Sequence, residues 1–158
     1  MDFNKQALVL RIGLGLRRYT RSDISDWVTN QITSRDHVEE PLVELGTLVG
    51  KTEQDITRLL NLLSGPLPDG MAARIEMAMV ARMVETGQLE LGTALKHVAS
   101  LAHEGLTPEE RSHVLELDDR YVLALAGTYG TMEQVRSDFE DFTGRFHDLF
   151  TFEWKPTE

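Results

Sequence analysis

Apolar residues recur at helical spacing along nearly the whole of this chain, and no stretch shows the two-residue alternation of a half-buried strand. That property confines the chain to helices packed on helices. About eight helices joined by short turns are expected, and short connections favour antiparallel neighbours. The predicted architecture is therefore all-α, a bundle or a stack of antiparallel helical hairpins. With 158 residues, 41% of them apolar and 27% charged, the chain is long enough to bury a core and has an ordinary globular composition. One helical domain over residues 1–158 is expected.

The first helix is predicted at about residues 3–17, with Asn4, Arg11 and Arg18 on one stripe and Leu8, Ile12 and Leu16 facing elsewhere. Gly13 and Gly15 inside it indicate close packing or an early end. Ser22 is the expected cap of a second helix with Ile24, Trp27, Val28 and Ile32 as its apolar stripe. Pro41 suits the first turn of a third, reaching about Val49. Thr52 caps a fourth that holds Ile56, Leu59, Leu60 and Leu63. The segment 64–70, SGPLPDG, is the richest in turn formers and can divide two subdomains. Further helices are predicted at about 71–85 and 91–103. Thr107-Pro108-Glu109-Glu110 is a strong start for the next, reaching about Ala126, because it sets a cap, a first-turn proline and acids at the positive dipole end. Its core stripe is expected to be Val114, Leu117, Tyr121 and Leu125, with Glu116 pairing Arg120 four residues on. Thr131 opens the last helix, predicted to about Leu149, with Met132, Val135, Phe139, Phe142 and Phe146 along one line that continues to Phe150. Phe152 and Trp154 are expected to fold back and close the bundle.

Charge is distributed unevenly over this scaffold. Residues 1–80 carry 11 acids and 9 bases, and residues 81–158 carry 15 acids and 7 bases. The net charge of −10 and pI near 4.9 disfavour general binding to nucleic acid or to anionic membrane, both of which carry fixed negative charge. The absence of cysteine excludes disulfides, iron–sulfur clusters and thiolate zinc sites. Met1–Gln6 contains Asp2 and a single base, a poor start for a signal peptide, and the apolar run Ala7–Leu16 is interrupted by Arg11. A cytoplasmic location is expected.

No serine-hydrolase elbow, phosphate loop or zinc-protease motif is present, and Gly13-x-Gly15 has neither a third glycine nor a preceding strand. Glu110-Arg-Ser-His113 has the carboxylate–imidazole spacing of a di-iron helix, but no other histidine has a glutamate three residues before it. A catalytic site, a metal and a cofactor are therefore not expected. On the helix through 71–85, Arg74, Arg82 and Glu85 share a polar sector, while Glu76 lies opposite among Met71, Ile75, Met79 and Met83. A carboxylate in that position needs a partner, and an arginine of the first helix is the expected one.

Residues 43–62, VELGTLVGKTEQDITRLLNL, resemble the helix-turn-helix family of DNA-binding proteins, with Gly46 in the first helix, Gly50 in the turn, and Ile56 and Leu59 packing the second helix. The resemblance implies DNA contacts from Lys51, Gln54 and Arg58, assisted by Arg11, Arg17, Arg18 and Arg21. Glu53 and Asp55 at the start of that second helix oppose such contacts. The surplus acids of the last two helices point elsewhere. Asp118, Asp119, Asp138, Glu140 and Asp141 are the leading candidates for contacts with a basic protein. In being small, acidic, cysteine-free and helical, the chain resembles bacterial immunity proteins that bind and neutralise a cognate toxin. That likeness implies a stoichiometric inhibitor of a toxin, such as a basic nuclease, acting by steric and electrostatic masking.

Overall fold

The computed structural model describes residues 2–150. It is all-helical: α1 Phe3–Gly15, α2 Arg21–Thr33, α3 Glu40–Leu45, α4 Glu53–Ser64, α5 Met71–Glu85, α6 Leu91–Ser100, α7 Pro108–Leu125 and α8 Met132–Gly144, followed by a 3-10 turn at His147–Phe150. No strand occurs among the described residues. No helix there is long and apolar enough to cross a membrane. Phe152 and Trp154, expected to close the bundle, lie outside the described residues.

The chain divides into two compact units, one running to Leu67 and the other spanning Pro68–Phe150. The division falls within the turn-rich segment 64–70.

In the first unit α1 packs chiefly on α4, α2 on α3, and α3 on α4. Ala7, Leu8, Val9, Leu10, Ile12 and Leu14 are all buried, so α1 is covered on nearly every side. Its Asn4 amide donates to the Leu63 carbonyl at 3.1 Å, tying the end of α4 to the start of α1. Trp27 of α2 is fully buried, and its indole N–H donates to Gln6 Oε1 at 2.9 Å. A large apolar body with one satisfied polar tip is the condition under which a buried tryptophan stabilises a core. Phe3 stacks on Trp27 at 5.4 Å, and the Arg35 guanidinium lies 3.8 Å from the centre of the Phe3 ring.

In the second unit α5 packs against α6, α8 and the 3-10 turn, and α7 lies between α6 and α8. Ala73, Ile75, Met77, Ala78, Met79, Val80, Ala81, Met83 and Val84 of α5 are buried. Val135, Phe139, Phe142 and Phe146 are buried as the sequence predicts. Phe142 meets Phe146 edge-on at 5.5 Å.

Three hairpins close by the same device. The N–H of Arg18 bonds back to the Gly13 carbonyl, that of Gln88 to Met83, and that of Thr128 to Leu123. In each, the preceding residue is left-handed and bonds three residues back, completing a Schellman motif. That left-handed residue is Gly87 after α5 and Gly127 after α7, but Arg17 after α1. Gly13 explains itself here: a Cβ on it would lie 2.1 Å from the Tyr19 ring, so it permits the close packing expected of it.

Several boundaries and partners differ from expectation. Thr20, not Ser22, caps α2, because Asp23 stands three residues after Thr20 and closes a capping box. Helix α3 stops at Leu45 instead of about Val49, and α8 stops at Gly144 before the chain turns into 3-10 geometry. Arg120 pairs with Asp138 of α8 and not with Glu116, since the packed neighbour offers a carboxylate across the helix pair. Leu125, in the last turn of α7, is 67% exposed and not part of the core stripe expected for it.

Candidate functional site

The second unit presents its acids from two well-anchored helices. Helix α7 begins with a capping box in which Glu110 N–H donates to the Thr107 hydroxyl and Glu110 Oε1 accepts from Thr107 N–H. The same Glu110 receives both Arg74 donors, at 2.8 and 2.7 Å, a fork that joins α5 to α7. This guanidinium holds the Glu110 carboxyl down at about 2, with the Thr107 groups adding to the effect against partial burial. Helix α8 is fixed likewise by the Thr131–Gln134 capping box and by the Arg120–Asp138 ion pair.

On this frame the five predicted contact residues do not form one cluster. Asp138 is engaged with Arg120. Glu140 lines the cleft beside Arg82, Glu85 and His147, and that cleft holds only about 30 Å³, room for little more than a water. Asp141 is exposed about 100° further around α8. Asp118 is half-buried and Asp119 exposed on α7, and among the described residues no cation pairs with either. The buried line of α7 is Val114 and Leu117. With an advance of about 100° per residue, Asp118 and Asp119 fall in a sector roughly 120° wide beside that line. The same sector carries Leu115, Val122 and Leu125, which are 41%, 59% and 67% exposed. The sequence reading placed Leu125 in the core and singled out neither Leu115 nor Val122, because a core stripe and an exposed stripe have the same spacing on a helix.

The other candidates resolve differently. Glu76 accepts or shares a proton with His97 Nε2 of α6 at 2.6 Å, so its partner is this histidine and not an arginine of the first helix. The sequence could not select it without knowing that α5 and α6 pack together. The hydrogen bond to Glu76 raises the His97 pKa above the usual 6.5, outweighing partial burial. The E-x-x-H residues part company: Glu110 serves Arg74 and Thr107, while the His113 ring stacks on Phe142 at 4.4 Å. Among the described residues, no group of three or more histidines and carboxylates gathers as metal ligands.

In the first unit, the segment resembling a helix-turn-helix has a six-residue α3 and a seven-residue connection, 46–52, before α4. The motif's turn is three to four residues. Lys51 donates to the Thr47 carbonyl at 2.7 Å, and the Lys51 carbonyl accepts from the Arg21 guanidinium. Two of the expected DNA-contacting cations are therefore occupied in holding this connection. Arg11 is half-buried along α1. Gln54 and Arg58 are exposed on α4 beside exposed Glu53. The Asp55 carboxyl is held below its usual range by the Thr52 backbone N–H and hydroxyl. Comparison of the chain with protein families, with characterised proteins and with solved structures finds no match.

Proposed function

We propose that this chain is a non-catalytic binding module that masks a basic protein partner, in the manner of an immunity protein neutralising a toxin. The observation that carries the reading is the charge of the second unit: residues 68–150 hold 15 acids against 7 bases, and the rest of the chain is close to neutral. Ten of those acids and only four bases lie in residues 107–150, on the capped helices α7 and α8 and their connections. Carboxylates on pre-ordered helices are favourable for fast association with a cationic surface, because little ordering entropy is lost on contact. The mechanism is then steric cover together with electrostatic capture. Asp118 and Asp119 would meet the partner from α7, and Glu140 and Asp141 from a separate place on α8, while Asp138 shares its charge with Arg120.

The test is capture of partners by the immobilised chain at low and at physiological salt, with identification by mass spectrometry and measurement of affinity for the purified partner. The reading expects a basic protein, bound more weakly as salt rises. The affinity should fall at least ten-fold when Asp118, Asp119, Glu140 and Asp141 are changed to lysine. An unchanged affinity and salt dependence in that variant would refute it. A salt-dependent gel shift of duplex DNA, lost in Arg58→Glu, would favour the helix-turn-helix reading instead.

A further inference from the structure

We infer that the exposed sector of α7 is a docking strip for one helix of the partner, and that this helix is amphipathic and basic. The inference rests on the proposed binding of a basic protein and names the element that binds. Single exposed apolar residues are ordinary on a protein surface. Leu115, Val122 and Leu125 are different, because they recur at i, i+7 and i+10 on one side of a single helix with Asp118 and Asp119 between them. From Leu115 to Leu125 the strip runs about 15 Å, close to three helical turns. A partner helix lying along it, with leucines or valines at i, i+4 and i+7, would place those side chains on the strip. Lysines or arginines flanking them would reach Asp118 and Asp119.

Charge decides between this occupant and a second copy of the chain. In a symmetric antiparallel pairing of two α7 strips, with Leu115 opposite Leu125, the acids of one copy would lie within about one helical turn of those of the other. Like charges facing each other at a desolvating contact are unfavourable. A cationic helix turns the same two carboxylates into attractive contacts. The strip is also ready-made, since the capping box at Thr107 and the Schellman turn at Gly127 hold both ends of α7 in helical geometry.

Fluorescence anisotropy with labelled 18-residue peptides tests the assignment on the full chain. One peptide carries leucine at i, i+4 and i+7 with lysine elsewhere on the helix. A second has the same composition in scrambled order, and a third replaces lysine by glutamate. The first should bind, the second at least ten-fold more weakly, and the third not measurably. The triple variant Leu115→Gln, Val122→Gln, Leu125→Gln should lose at least ten-fold in affinity with an unchanged melting curve, because these side chains are exposed. Asp118→Asn with Asp119→Asn should lose several-fold and flatten the salt dependence. If the ordered and scrambled peptides bind alike, or the triple variant binds like the parent, the strip is not a docking site while charge-based masking still stands. If the lysine substitutions in the test of the preceding section have no effect on the captured partner, the masking reading falls as well. Sedimentation showing self-association that the triple variant abolishes would assign the strip to a second copy and overturn the inference.

Discussion

The unit that runs to Leu67 carries 9 acids and 8 bases, whereas Pro68–Phe150 carries 15 acids and 7 bases, yet the two are built by the same local rules. Each contains a helix buried on nearly all sides, α1 in one and α5 in the other. Each closes helical hairpins with a Schellman turn followed by a new helix start. The extra charge of the second unit therefore has no counterpart in what its fold requires. Three of its carboxylates, Glu76, Glu110 and Asp138, bind His97, Arg74 and Arg120 and hold helices together. Most of the others face water. Burial assembles both units, and the surplus charge of the second lies mostly on its surface.

Equivalent cores should respond equally to truncation. Trp27→Ala in the first unit and Phe139→Ala in the second each remove a fully buried ring, and each should cost about 3–5 kcal/mol by chemical denaturation. A loss below about 1 kcal/mol in only one of them would break the parallel between the units. The ionic tie of the second unit comes next. Arg74→Met leaves Glu110 half-buried without its fork, and the loss should be about 2–3 kcal/mol at pH 7. Because the folded carboxyl of Glu110 titrates at about 2, below its ordinary 4.5, this stabilisation is complete above about pH 4.5 and is lost as pH falls toward 2. The Arg74→Met variant should show a shallower acid limb in stability against pH.

The hairpin turns give a smaller, sharper contrast. Gly87→Ala and Gly127→Ala force a Cβ into left-handed backbone with open space around it, and each should cost about 1 kcal/mol for conformational reasons alone. Arg17 already bears that strain, so Arg17→Gly should stabilise the first unit by about 0.5–1 kcal/mol in thermal unfolding. The smallest effect is expected at the Glu76–His97 pair. The raised pKa of His97 means its stabilisation is present below pH 6.5 and disappears as pH rises through the higher folded value. With the imidazole 35% exposed, solvent screening keeps this under about 1 kcal/mol. His97→Gln should remove the step from the stability profile, and NMR titration of the ring should give its direction.

Helix identity was legible wherever a hydroxyl and an acid or amide three residues later announce a start, as at Thr52, Thr107 and Thr131. The same rule selects Thr20 over Ser22, since Asp23 can return the hydrogen bond to Thr20 and Ser25 cannot do so for Ser22. Apolar faces that point at a core, such as Val135, Phe139 and Phe142, could also be read. What the sequence could not convey is which helices become neighbours. The choices of Asp138 for Arg120, of His97 for Glu76 and of Arg74 for Glu110 all cross between helices. The five acids could be assigned to exposed faces one helix at a time, but their separation follows from how α7 and α8 are turned against each other. Leu125 matched a core stripe by spacing, yet it is exposed in the last turn of α7.

Hydrogen exchange on the full chain, free and with its captured basic partner bound, reads out which helices the partner covers. New protection is expected in residues 108–144, strongest on α7, with exchange in residues 3–64 unchanged. Protection confined to α3 and α4, or none on α7 and α8 in a saturated complex, would contradict the masking reading.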